Sequence, residues 1–133
     1  MLRLSNLRPD RLPLRLRLGA YGVAVAVLLY LTLAPSRDLP TVHLWDKAEH
    51  AIAWFVLASI GLVFWPARPR LIAGFAFCLG ALVEVLQWAM PLGRDGDVHD
   101  LLADTVGIAV ALLAWAAVRS MRRRIVSRRP IEA

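Results

Sequence analysis

Cysteine is almost missing from this 133-residue chain: Cys78 stands alone, and acidic side chains number ten against sixteen basic ones. One cysteine cannot close an internal disulfide, so a disulfide framework is excluded and no redox compartment is implied. Cys78 reads as a small apolar filler in mid-span. Also missing are a P-loop, a G-x-G-x-x-G turn, an H-E-x-x-H pair and a G-x-S-x-G elbow. Without them nucleotide-powered export is not expected, nor is a zincin or a serine hydrolase of the elbow type. No internal repeat and no low-complexity linker interrupts the chain.

What is present is apolar. Hydrophobic residues make up 59% of the sequence and the mean hydropathy is +0.57. The length argues for one domain, yet a water-soluble domain of this size could not hide so much apolar surface. Four predominantly apolar runs, residues 19–35, 48–65, 71–90 and 101–118, are 17 to 20 residues long. Each approaches the ~20 residues that carry a helix across ~30 Å of hydrocarbon. Pro35, Pro40, Pro66, Pro69, Pro91 and Gly93 fall between the runs, where turns are expected. Trp45, Trp65, Trp88 and Trp115 lie near the run ends, as amphipathic rings at the headgroup level do. Trp54, one turn inside the second run, is the exception. The fold class expected is all-α: a polytopic membrane protein built as a four-transmembrane-helix bundle. A basic tail (1–18) and a second basic tail (119–133) flank the membrane domain (19–118).

Arginine sets the expected orientation. Thirteen arginines lie in the N-terminal tail, the loop with Arg68 and Arg70, and the C-terminal tail, against only Arg37, Lys47 and Arg94 in the other two connections. Four spans put the three rich segments on one face, and the positive-inside rule makes that face, with both termini, cytoplasmic. A bacterial cytoplasmic (inner) membrane is the expected location. The basic tails suit anionic lipid, and no nucleic-acid partner is expected despite a pI near 11.0. The first run has a basic lead and could pass for a signal peptide, but it is longer than a usual signal core and reads as a retained anchor.

The acids are distributed the other way. Asp38, Asp46, Glu49, Glu84, Asp95, Asp97, Asp100 and Asp104 all belong to the outer half, as do His43, His50 and His99. Acids contribute little to topogenesis, so this asymmetry calls for another cause. In WDKAEHAIAW, Asp46 and His50 are four apart and share a face; Asp46 is also a candidate N-cap. His50, Trp54, Leu57 and Gly61 continue an inward stripe. In ALVEVLQWAMP, Glu84 and Gln87 share a face, with Glu84 about 9 Å below the outer end of its run. A carboxylate at that depth should turn into the bundle and find a partner. In GRDGDVHDLLADTVG, Asp97, Asp100 and Asp104 form one stripe that continues through Gly107 and Ala111, a small-xxx-small spacing that lets helix backbones approach. Asp95 reads as loop and His99 falls off the stripe. Topology brings Asp46, Lys47, His50, Glu84, Gln87, Arg94, Asp97, Asp100 and Asp104 to similar depth on the outer side, where one solvent-accessible pocket is expected.

Three fragments occur in order: D-K-x-x-H (Asp46, Lys47, His50), E-x-x-Q (Glu84, Gln87) and R-x-x-D-x-x-D-x-x-x-D-x-x-G (Arg94, Asp97, Asp100, Asp104, Gly107). Together they resemble the VanZ-like family of small bacterial membrane proteins, named after a teicoplanin-resistance accessory protein. The resemblance runs from Trp45 to about Ala111. It implies a cell-envelope protein and, by analogy with the name-giving member, an antibiotic-resistance accessory role. Where the family usually carries Asn this chain has Asp104, which favours cation binding or a shared proton.

Three functions are compatible with these residues. The first is a non-enzymatic envelope protein whose pocket binds a lipid headgroup or an amphiphilic glycopeptide-type ligand. Arg94 and Lys47 would grip phosphate or carboxylate, and Asp46, His50, Glu84 and Gln87 would hold the helices. The alternative is a membrane-embedded hydrolase or transferase acting on a lipid-linked envelope substrate, with His50 or Glu84 as general acid/base. No serine or cysteine is well placed for covalent catalysis. A proton-coupled carrier comes third and would call for a homo-oligomer. No cofactor is implied beyond a divalent cation, for which Asp97, Asp100 and Asp104 are the candidate ligands, with His50 a possible fourth.

Overall fold

A computed structural model of the chain describes residues 8–34, 45–90 and 96–127. After a short 3-10 turn at Pro9–Arg11, four helices follow: α1 (Leu14–Leu33), α2 (Asp46–Phe64), α3 (Pro69–Ala89) and α4 (Val98–Ser127). All four are long and apolar enough to cross a membrane. Local chemistry sets their limits. Pro66 disfavours a helical conformation in the residue before it, and α2 stops at Phe64. Pro69 opens α3 at its first helical position, where the missing N–H costs nothing.

Two boundaries differ from the sequence expectation. Helix α1 begins at Leu14, inside the basic tail, and α4 continues through Arg119, Arg122, Arg123 and Arg124 as one 30-residue helix. Leucine and arginine are strong helix formers, so nothing in either basic segment breaks the hydrogen-bond ladder. Cations in a last helical turn also suit its dipole.

The bundle is centred on α2, which packs most extensively against α4 and also meets α3 and α1. Its inward stripe is the expected one: His50, Trp54, Leu57 and Gly61 are all buried, with Ala58 and Leu62 alongside. From α3 come Ile72, Ala76, Leu79, Gly80, Val83, Glu84 and Gln87. Helix α4 presents Asp100, Asp104, Gly107, Ile108 and Ala111. Each set repeats at three and four residues, as one face of a helix must. The reverse faces are equally apolar: Val23, Leu82, Val106 and Leu113 are more than half exposed. Such a shell is a liability in water and the right surface in lipid. Cys78 belongs to this shell and is exposed, so it fills no gap in the core.

Two contacts fix how closely the helices lie. A Cβ on Gly107 would collide with the Ala51 carbonyl oxygen and lie 2.9 Å from the Phe55 nitrogen, so α4 rests directly on the α2 backbone. Trp54, fully buried, donates its indole N–H to the Ala76 carbonyl of α3 at 3.0 Å. That bond explains the one tryptophan away from the run ends: Trp54 ties two helices, while Trp45 and Trp88 are exposed as interfacial rings should be. At the far end Arg17 and Arg119 donate to the Phe64 and Pro66 carbonyls at 2.9 and 3.2 Å. The same arginines lie over the Trp65 and Trp115 rings.

Candidate functional site

At the end of the bundle opposite Arg17 and Arg119, α2 begins, α3 ends and α4 begins. Of the polar residues expected to converge, the described ones gather there across three helices, while Arg94 lies outside the described residues. Lys47, in the first turn of α2, reaches across to α4 and donates to both Asp97 and Asp100, each at 2.9 Å. One turn deeper, His50 Nδ1 lies 3.0 Å from Asp104 Oδ1. Glu84, from α3, accepts the backbone N–H of Asp97 at 2.8 Å through Oε2, so a carboxylate of α3 occupies the N-terminus of α4. Negative charge is favourable at that position, where the helix amides point outward unpaired. Gln87 lies on the same face and donates to the carbonyl of Thr32 at 2.9 Å, fastening the end of α1 to α3.

Exposure falls steeply along this axis. The side chain of Lys47 is 28% exposed and that of Asp97 40%, but Asp100, His50 and Asp104 fall to 8, 5 and 0%. Among the described residues the site expected as an open pocket is graded: a partly exposed rim covers a buried base. The His50 ring stacks on Trp54, 5.7 Å between centroids and nearly parallel, which fixes its plane. Gly80 makes room beneath Asp104, since a Cβ there would lie 2.8 Å from Oδ2. Two oxygens at the base, Glu84 Oε1 and Asp104 Oδ2, are buried without a hydrogen-bond partner among the described residues.

Asp97 has two jobs. It precedes the first residue of α4, and its Oδ1 accepts the backbone N–H of His99 at 2.9 Å, as an N-cap does. That amide, followed by the Lys47 ammonium and the His99 ring, holds the Asp97 carboxyl well below the usual carboxylate range. His99 lies off the acidic stripe, as expected, with its side chain 72% exposed. Asp46, by contrast, is no cap: it is the first residue of α2, and Trp45 holds the cap position without a side-chain bond. Arg94 and Asp95, like His43, lie outside the described residues.

Among the described residues, two groups of three have donor atoms within 4.8 Å of one another: Asp46, His50 and Asp100, and His50, Glu84 and Asp104. Of the carboxylates expected to ligate, Asp100 and Asp104 enter one group each, whereas Asp97 enters neither. The signal in the sequence was that three acids share a stripe of α4. The arrangement instead spends Asp97 and part of Asp100 on Lys47 and gathers the remainder around His50. Sequence reasoning passed over three participants: Thr32, Gly80 and the anchoring role of Trp54. Gly80 and Trp54 had a signal, lying four residues from Glu84 and His50 on the inward stripes. Thr32 contributes a carbonyl, which leaves no trace in residue type.

Such an arrangement defines a class: a small four-helix membrane protein with a carboxylate-rich cluster between three helices at one end of its bundle. The family model for VanZ/LLP1 matches residues 43–119, more than half of the chain and all of α2 and α3, and the protein belongs to that family. No curated protein and no solved structure gives a significant match.

Proposed function

We propose that this protein binds the polar end of an amphiphile, a lipid headgroup or a glycopeptide-type antibiotic, at the outer face of the bacterial cytoplasmic membrane. The observation that carries the proposal is the graded cluster: an ionic rim of Lys47 and Asp97 stands over buried Asp100, His50, Glu84 and Asp104, inside a shell apolar enough to face acyl chains. An amphiphile needs both surfaces at once. The orientation with this end outside rests on the thirteen arginines of the opposite face and the two tails.

Charge narrows the ligand. Among the described residues, Asp46, Glu84, Asp97, Asp100 and Asp104 lie at this end with one lysine, whose ammonium is already shared by two of them. That excess favours an amine-bearing ligand, such as an ethanolamine headgroup or the amino group of a glycopeptide, over a purely anionic one. A resistance-accessory role follows if the antibiotic is the occupant. Native mass spectrometry of the full chain, released from detergent with ethanolamine and glycerol lipids of equal chain length and with teicoplanin, tests this. Retention of an amine-bearing amphiphile, weakened by Asp100→Asn, is the expected result. Equal retention of both lipids and none of teicoplanin overturns the reading.

One observation favours a second reading, a membrane-embedded hydrolase or transferase. His50 is paired with buried Asp104 and has Glu84 beside it, the grouping that orients an imidazole for proton transfer. If this reading holds, Glu84→Gln removes the activity while leaving folded protein in the membrane.

A further inference from the structure

We infer that His50, Glu84 and Asp104 bind one divalent transition-metal ion, of the zinc or manganese kind, between α2, α3 and α4. The three side chains come from three helices, all are buried, and one donor atom of each lies within 4.8 Å of the others. The His50–Asp104 separation of 3.0 Å suits a hydrogen bond and also fits two atoms ligating one ion at about 2.1 Å at a near-right angle, which a small outward shift opens to the tetrahedral angle of zinc.

Two independent features point to a ligand at this place. Glu84 Oε1 and Asp104 Oδ2 are buried oxygens with no hydrogen-bond partner among the described residues, and each belongs to a side chain at least nine-tenths buried. A buried carboxylate oxygen left unpaired is costly, and two of them in one cluster call for a compensating cation. Lys47 cannot supply it, because its ammonium sits on Asp97 and Asp100. The second feature is Gly80. A side chain there would meet Asp104 Oδ2 at 2.8 Å and the Trp54 indole nitrogen at 3.1 Å, so glycine leaves this buried oxygen the room that a Cβ would fill.

Donor chemistry selects the ion. An imidazole with two carboxylates suits zinc, manganese or iron; calcium wants six to eight oxygens, and magnesium prefers to keep its waters. Two carboxylates match a dication in charge, and three protein ligands leave a position open for a water or a ligand group. The neighbouring group, Asp46, His50 and Asp100, is the weaker choice. Asp46 is exposed, Asp100 Oδ1 is committed to Lys47, and neither carries an orphaned buried oxygen. The inference is independent of which amphiphile the protein binds, since metal stoichiometry is measured without one.

The test uses the full chain, purified in detergent, treated with chelator and titrated with Zn2+, Mn2+, Mg2+ and Ca2+. About one equivalent of Zn2+ or Mn2+ is expected, with Mg2+ and Ca2+ at least tenfold weaker. Glu84→Gln and Asp104→Asn should each weaken binding at least tenfold, whereas Glu49→Gln, the same charge change one residue before His50, should not. Because a base variant can fail to fold, Co2+ bound to the unaltered protein gives a second measurement, and its visible spectrum should report imidazole and carboxylate ligation. Absence of stoichiometric binding to the unaltered protein overturns the inference. So does a Co2+ spectrum without a nitrogen ligand, or binding that survives Glu84→Gln but is lost in Asp46→Asn.

Discussion

Replacing Gly107 by alanine adds a single methyl group and should separate the two most closely packed helices. The new Cβ would fall against the Ala51 carbonyl oxygen, with the Phe55 nitrogen 2.9 Å away and the Ala51 carbonyl carbon at 3.0 Å. All three are backbone atoms of α2, so no side chain can swing aside. Restoring an ordinary contact of about 3.5 Å requires α4 to move outward by on the order of 1 Å. Asp104 lies one turn earlier on the same face, and its 3.0 Å contact with His50 would open to about 4 Å, beyond hydrogen-bond range. Overpacking of this kind costs about 1–3 kcal/mol. Losing a buried polar contact adds about 1–3 kcal/mol, and the better helix propensity of alanine returns about 1 kcal/mol. A net loss of about 1–5 kcal/mol is expected. Equilibrium unfolding of the purified protein in mixed micelles, followed by circular dichroism, reads this directly. Gly22→Ala and Gly74→Ala supply the internal control, because nothing lies within 4 Å of a Cβ at either position. Both should be neutral or slightly stabilising. If Gly107→Ala is as stable as those controls, the close approach of α2 and α4 is not as described and the account of the site falls with it.

The indole bond and the α4 cap yield two further expectations. Trp54→Phe removes the bond to the Ala76 carbonyl and part of a fully buried ring, and the same unfolding assay should show a loss of about 1–3 kcal/mol; no loss would show that α2 and α3 are held by packing alone. Asp97 is expected to make the start of α4 acid-sensitive. Its folded-state pKa is depressed, so its stabilising contribution is complete above the unfolded carboxyl value of about 3.9 and is lost as pH falls below it. Protection of the first α4 amides against hydrogen exchange, relative to their intrinsic rates, should therefore fall below about pH 4 in the native chain. In Asp97→Ala, which has no side-chain acceptor, protection should be low already at neutral pH, and identical profiles for the two proteins would refute the cap.

Four apolar runs, their proline breaks and the inward stripes were legible in the residues alone. Burial of His50, Glu84, Asp100 and Asp104 followed from periodicity, because a polar group in a spanning helix has nowhere to go but inward. Helix ends were less legible, since the arginines that mark a membrane boundary are themselves good helix formers. The chain's only lysine and only glutamine both proved to be cross-helix ties, a compositional signal easily passed over.

Partnership was decided in three dimensions. Sequence alone makes Asp97, Asp100 and Asp104 one acidic stripe on one helix and leaves their partners open. Packing separates them: Lys47 reaches only the first two, and His50, a turn further along α2, meets the third. Gly107 sets how near α2 and α4 approach, and Gly80 sets how near α3 comes to Asp104. The sequence by itself determined that this chain is four membrane-length helices with a polar end. Which carboxylates are neutralised by lysine, and which are left buried around a histidine, depended on the distance and rotation between helices, quantities that no residue-by-residue pattern contains.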